Sequence, residues 1–192
     1  MSALSYSDIS LIPRYSELKS RSQADVSVEF LGRRFQSPAI LANMSSVINL
    51  DIARWLSEND YFYIYHRFDV PPTRYLVENA NRQQWKLISI SVGVKDDDKR
   101  LLERFAKENL RVDVVTIDVA MGHHVLVKEM IEFIKGLDFK SHLTDYITDS
   151  FAIQDGVAAP GRGFTSFPLP YRPKIIAGNV ATPEAVCDLA GW

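Results

Sequence analysis

Cysteine is almost missing from this chain: Cys187 is the one example in 192 residues. A disulfide framework needs pairs, and a cysteine-based metal site needs several thiolates, so both are excluded. A reducing, cytoplasmic setting is expected. An excess of either charge is lacking too: 22 Lys and Arg face 24 Asp and Glu, a formal net charge of −2. Such a balance gives no field for nucleic acid or for an anionic membrane surface. Long apolar runs are absent. The opening "MSALSYSDISLIPRYSELKSR" places a polar residue every few positions, unlike a signal peptide or a membrane span of ~20 residues. There is no repeat of solenoid length, and no G-x-G-x-x-G follows a strand candidate, which weakens a dinucleotide-binding doubly wound fold.

What is there is a recurrent unit. Hydrophobic residues make up 46% of the chain, enough for one domain with a core. A short apolar run, a polar or glycine-containing corner and an amphipathic helix follow one another five times. "PAILANM" (38–44) leads to "LDIARWLSEND", where Ile52, Trp55 and Leu56 share a helical face. "YFYIYHRF" (61–68) leads to "PPTRYLVENANRQ", and "KLISISVGV" (86–94) to "DDDKRLLERFAKENL", whose leading acids suit a helix N-terminus. "VDVVTIDVA" (112–120) leads to "HHVLVKEMIEFIKGL", with Val127, Met130, Ile131 and Ile134 as the expected buried stripe. "KIIAGNV" (174–180) leads to "TPEAVCDLAG", with Thr182 as N-cap and Pro183 at the first helical position. Continuous apolar strands alternating with helices indicate a parallel sheet, either doubly wound or a (β/α)8 barrel. Asn43, His66, Arg67, Asp118 and Asn179 gather at the carboxyl ends of the expected strands, which is the active face of a barrel.

Residues 138–173, "DFKSHLTDYITDSFAIQDGVAAPGRGFTSFPLPYRP", break the pattern. Connections at such a place usually take about 2–6 residues. An irregular insert is expected there: a surface loop at the amino-terminal face of the sheet, or the translation of a non-coding segment.

Several residues carry candidate chemistry. Asp118 closes an apolar strand; it either accepts hydrogen bonds from ribose hydroxyls or caps the following helix, and Gly122 would let a ligand approach the backbone. Gly178 and Asn179 either serve a ligand, with the Asn amide and nearby helix-start N–H groups, or simply make a turn. Arg67 suits a phosphate by its fork of donors. His123 and His124 are adjacent and diverge by ~100° on a helix, so they cannot share a metal; no metal site is expected. Cys187 has no cation within a helical turn to activate it, and Asp96, Asp97 and Asp98 read as a solvated helix start. Trp55 and Trp85 are expected in the core or at an interface.

Six segments in order, "YSDISLIPRYSELKSRS", "PAILANMSSV", "YFYIYHRF", "ISISVGV", "VDVVTIDVAMGHH" and "IIAGNVATPEAV", resemble the IMP dehydrogenase and GMP reductase family. The resemblance implies a (β/α)8 TIM barrel, here incomplete at about five of eight βα units: one partial domain over 1–192 with an insert at about 138–173. It implies a purine nucleotide and a nicotinamide cofactor bound side by side at the carboxyl ends of the strands. Only about twenty residues separate Arg67 from Leu87, so the inserted regulatory domains usual in dehydrogenases are absent. The wording "ANM", "YFYIYHRF" and "ISISVGV" is similar to the reductase branch: NADPH-dependent deamination of GMP to IMP and ammonia.

By that resemblance Asn43 and Met44, with Gly178 and Asn179, lie at the nucleotide. Ser20 and Arg21 touch the cofactor, often across a subunit interface. Arg67 stands where many members have Lys, and Asp118, Val119 and Ala120 hold the nicotinamide ribose. Met121 departs from the His or Asn of many relatives. The family's nucleophilic cysteine sits in a G-x-G-x-G-S-x-C-x-T loop after the sixth strand, which nothing here matches. Cys187 precedes that place and is not its equivalent, so no catalytic residue is assigned. The expectation is a half-barrel inactive alone, forming a homo-oligomer (a tetramer in the family) if complete. IMP dehydrogenase activity and a non-catalytic half-barrel joining full-length subunits are the alternatives.

Overall fold

The computed structural model describes residues 6–68, 72–140, 153–154, 157–158 and 170–192. Two 3-10 turns, Tyr6–Asp8 and Arg21–Gln23, precede an antiparallel hairpin of β1 (Val28–Phe30) and β2 (Arg33–Phe35). The hairpin turns through Leu31 and Gly32, both at positive φ. Then come α1 (Leu50–Glu58), α2 (Pro72–Arg82), β3 (Ser89–Val92), α3 (Asp96–Lys107), β4 (Val114–Ile117) and α4 (Val125–Gly136). Short pieces follow: β5 (Phe139–Lys140), β6 (Ile153–Gln154), β7 (Val157–Ala158) and β8 (Pro170–Tyr171). β9 (Lys174–Ala177) and α5 (Pro183–Gly191) complete the described chain.

The central sheet is parallel, in the order β3-β4-β9. Ile90 stands level with Val115, and Val115 with Ile175. Tyr65 adds a parallel bridge to Ile90 on the other side, through Tyr65 N–H to Ser89 O (3.1 Å) and Ser91 N–H to Tyr65 O (2.9 Å). Neighbours in space therefore follow chain order, with no reversal among the described residues. A doubly wound sheet reverses at a switch point; a barrel does not. The α/β content and parallel order fit part of a TIM-barrel domain.

Five α-helices occur among the described residues, each in an expected place, and their ends have physical causes. Thr182 caps α5 by accepting from Ala185 N–H at 3.2 Å, with Pro183 in the first turn. Asn49 caps α1 through Ile52 N–H at 2.9 Å. In α4 the expected stripe of Val127, Met130, Ile131 and Ile134 is buried.

Three expectations need correction. No strand forms over 38–44. Gln36 N–H reaches Asp60 O at 2.9 Å, but beyond Pro38 the bonds turn local, as in Met44 N–H to Ala42 O. The strand over 61–68 shrinks to the single bridge at Tyr65. In α1 the buried face is Ala53, Leu56 and Ser57 rather than Ile52, Trp55 and Leu56. Trp55 is half-exposed and stacks on Tyr61 (centroids 5.5 Å apart), whereas Trp85 is in the core as expected. The expected insert lies largely outside the described residues. Its two ends meet where β5 pairs antiparallel with β8, just before the amino end of β9.

The amino end of the sheet is closed by aromatic and polar packing. Phe62 meets Phe30 and Phe35 edge-on, at 5.1 and 5.4 Å. Leu87 O accepts from Ser57 Oγ (3.0 Å) and Tyr63 Oη (2.8 Å), and Leu87 N–H donates to Ser57 Oγ (2.9 Å). Burial pushes the Tyr63 phenol well above its ordinary value.

Candidate functional site

Arg67, Gly93, Asp118 and Asn179 lie just past the carboxyl ends of the parallel segments. Asp118 is held at the end of β4 by its own N–H, which donates to Val92 O at 2.8 Å. Its Oδ2 accepts from Arg67 Nε at 3.2 Å, with both side chains about a third or less exposed. The two residues reach across β3, which is possible because the residue between them is Gly93. A Cβ at 93 would stand 3.5 Å from Arg67 Nη1 and 2.8 Å from Asp98 Oδ2. The Asp98 carboxylate fills that corner, accepting from Gly93 N–H (2.9 Å) and Lys95 N–H (3.2 Å) at the start of α3. The Arg67 guanidinium also lies 4.8 Å from the Phe68 ring, a cation–π contact.

The second half of the site is the corner between the β4–α4 and β9–α5 loops. Asn179 takes a left-handed backbone (φ 63°), which Asn tolerates better than most residues. Its Nδ2 donates to Val119 O at 2.7 Å, and its own carbonyl accepts from Gly122 N–H at 2.9 Å. The Asn179 amide expected to face a ligand thus has one donor engaged by the neighbouring loop, leaving its second N–H and its Oδ1 as further hydrogen-bonding groups. Gly122 was expected to admit a ligand; instead it admits Gly178, whose carbonyl oxygen would lie 2.0 Å from a Cβ there. Gly178 itself has open space where a Cβ would go. One residue further, His123 Nε2 lies 2.9 Å from Asp188 Oδ2 on α5, and its ring stacks on Trp192. His124 caps α4 through Leu126 N–H at 3.2 Å.

The structure thus brings together Arg67, Asp118, Val119, Gly178 and Asn179, with Ala120 exposed on the same loop. It does not bring in Ser20 and Arg21. Their bonds stay within the exposed amino-terminal segment: Ser22 N–H to Ser20 Oγ at 3.3 Å and Ala24 N–H to Arg21 O at 3.1 Å. Asn43 and Met44 follow no strand; Met44 is half-exposed, and its carbonyl accepts from Val47 and Ile48 N–H. Cys187 is exposed on α5. Among the described residues no group of His, Cys, Asp and Glu can hold a metal ion. No helix of the described residues is long and apolar enough to cross a membrane. A cavity of about 870 Å³ between α4, β9 and α5, lined by Ile131, Lys135, Ile175 and Val186 among others, contains none of the expected site residues.

Sequence reasoning missed Gly93 with Asp98, and His123 with Asp188. The first pair had a signal, a glycine after an apolar strand followed by an acid in the first helical turn. The second had none, since its members are 65 residues apart.

Residues 3–158 match the family model described as IMP dehydrogenase / GMP reductase domain. The chain is 39% identical over 189 residues to a GMP reductase of Lactobacillus acidophilus, covering 98% of this chain and 47% of that protein. It is 36% identical over 192 residues to one of Leptothrix cholodnii, covering 100% of this chain and 49% of the relative. A Bacillus licheniformis GMP reductase is 39% identical over 184 residues, with 96% and 46% covered. The chain spans about half the length of the curated relatives it matches.

Proposed function

The chain belongs to the IMP dehydrogenase/GMP reductase family, and on that premise we propose that it is the nucleotide- and cofactor-binding half of a GMP reductase-type oxidoreductase. The reaction is the deamination of GMP to IMP and ammonia. NADPH, when bound, supplies the hydride that replaces the departing amino group at purine C2. The observation that carries the reading is the Arg67–Asp118 pair, 3.2 Å apart at the carboxyl ends of segments flanking β3. It offers a carboxylate for ribose hydroxyls and a guanidinium for an anionic group.

In this reading Asp118, Val119 and Ala120 hold the nicotinamide ribose, with Arg67 beside them. Open space at Gly178 suits a group lying over the corner, and Asn179 acts by fixing that corner. Asn43 and Met44 border the base, and Ser20 and Arg21 reach the cofactor through the exposed segment. Residues 1–192 form one partial TIM barrel, about five of eight βα units with an insert at about 138–173, in a cytoplasmic homo-oligomeric enzyme. The covalent step of this chemistry needs a nucleophile, and Cys187 does not supply it.

Following nicotinamide absorbance with GMP and NADPH is expected to show no turnover above a Cys187→Ala control. Calorimetric titration with NADPH is expected to show binding that Asp118→Ala weakens. Turnover by the isolated chain would overturn the inactive-half reading, and NADPH affinity unchanged by Asp118→Ala would overturn the site. The second reading is a non-catalytic half-barrel that joins full-length subunits; co-purification with a complete relative distinguishes it. Supplying IMP and NAD tests the dehydrogenase alternative.

A further inference from the structure

The loop from Asp118 to His124 has no secondary structure of its own apart from the cap it gives α4. It nevertheless presents the carboxylate on which the proposed site depends. Asp118 itself is tied to Val92 and Arg67; beyond it, the ties that leave the loop toward other elements lead to the β9–α5 unit. Val119 O is held by Asn179 Nδ2 (2.7 Å) and Gly122 N–H by Asn179 O (2.9 Å). Gly122 lies so close under Gly178 that no side chain fits between them. His123 then reaches past the corner to α5, with Nε2 2.9 Å from Asp188 Oδ2. The imidazole rests on the Trp192 ring, centroids 5.9 Å apart at 30°. Trp192 is itself fastened to α4 through Lys135 Nζ, which donates to its carbonyl, and to α5 through its own N–H, which donates to Asp188 O.

We infer that α5 is a clasp for the Asp118 loop, with His123 and Asp188 as positioning residues and the Trp192 ring as the shelf that orients the imidazole. The inference rests on the proposed role of Asp118, but its geometry does not. Two βα units are needed to make the loop: β4 supplies the carboxylate, and α5 sets the far end of the segment that carries it. A hydrogen-bonded acid fixes the ring orientation of His123, and the ring fixes the backbone next to Gly122. The pair is exposed, with side chains 41% and 54% accessible, so its contribution to global stability is small. Its effect falls on the local opening of the loop.

Hydrogen exchange of the whole chain tests this. Asp188→Asn is expected to speed exchange at the Gly122 and His124 amides by roughly tenfold, while the Ile90 and Ser91 amides in β3 keep their rates. Asp188→Glu is expected to restore most of the protection, a rescue that loss of helix packing would not give. His123→Asn provides an independent variant should Asp188→Asn fold poorly. Unchanged loop amides, or loop and β3 amides that accelerate together, would overturn the clasp. Adding NADPH separates the two ideas. If NADPH protects nothing in the wild-type loop while Asp188→Asn still loosens it, the functional reading fails and the clasp stands.

Discussion

β3 and β9 lie in one sheet, two strands apart and in matched register, yet their surroundings are opposite. β3 reads Ser-Ile-Ser-Val and is buried at all four positions. β9 reads Lys-Ile-Ile-Ala, the more apolar triplet after its first residue, and none of its four positions is fully buried. Hydropathy summed over the four positions barely separates them. Burial here follows place: β3 has β4 on one side and the Tyr65 segment on the other, whereas β9 pairs with β4 alone among the described residues. A strand's polar residues are therefore a poor guide to its depth in a parallel sheet. Ser91 shows why, since its hydroxyl donates to Tyr65 O at 2.7 Å and is at home there.

The contrast is open to direct attack. The largest effect is expected from Ile90→Ala in β3, about 3 kcal/mol lost in urea unfolding, against about 1 kcal/mol for Ile175→Ala at the matched position of β9. Equal losses would end the comparison. Gly122→Ala probes the one tight spot on the β9 side. The new methyl group must displace the Gly178 carbonyl, and a cost of about 2 kcal/mol with weaker NADPH binding is expected. A stable variant with unchanged binding would show that the corner tolerates movement.

A third test uses pH. The folded Tyr63 phenol titrates above its unfolded value of about 10, because burial disfavours the phenolate. The folded state then holds a proton that the unfolded state has lost. Stability is complete below about pH 10 and falls by about 1.4 kcal/mol for each pH unit above it. Tyr63→Phe removes this slope and forfeits the bond to Leu87 O, so its unfolding curves at pH 8 and pH 11 differ less than those of the parent. A slope that persists belongs to other groups. The smallest effect is expected at Ser89, whose buried hydroxyl has no hydrogen-bond partner among the described residues. Ser89→Ala should change stability by less than about 0.5 kcal/mol, or raise it. A clear loss would mean that a water serves that hydroxyl.

These contrasts also mark what could be read from residues alone. The helices were legible because their signals are local. Thr182 before Pro183, the acids at 96–98 and the spacing of Val127, Met130, Ile131 and Ile134 each sit within one or two turns. The strand expected over 38–44 was not, because a strand exists only where another backbone meets it, and among the described residues none pairs with 38–44. Trp55 was misplaced for a related reason: a 3.6-residue period puts it beside Ile52, but Tyr61, six residues on, offers a surface that keeps it outside. At the candidate site, the sequence puts Arg67 and Asp118 at the ends of apolar segments, where the structure has them, but it does not show their pairing, since 51 residues separate them. The glycine at 122 was foreseen for the wrong partner. Small size was legible; what fills the space was not.

The stacking of His123 on Trp192 makes the loop corner visible to light. The chain has three tryptophans, and each samples a different zone: Trp85 sealed in the core, Trp55 against Tyr61 on the flank of α1, and Trp192 under an imidazole. With Trp55 and Trp85 replaced by phenylalanine, the remaining indole emission belongs to the loop corner alone. Opening of the loop corner would lift the imidazole off the Trp192 ring and change the surroundings of that indole, and with them its emission. The molecule therefore carries an optical gauge of its own loop, readable without any added dye.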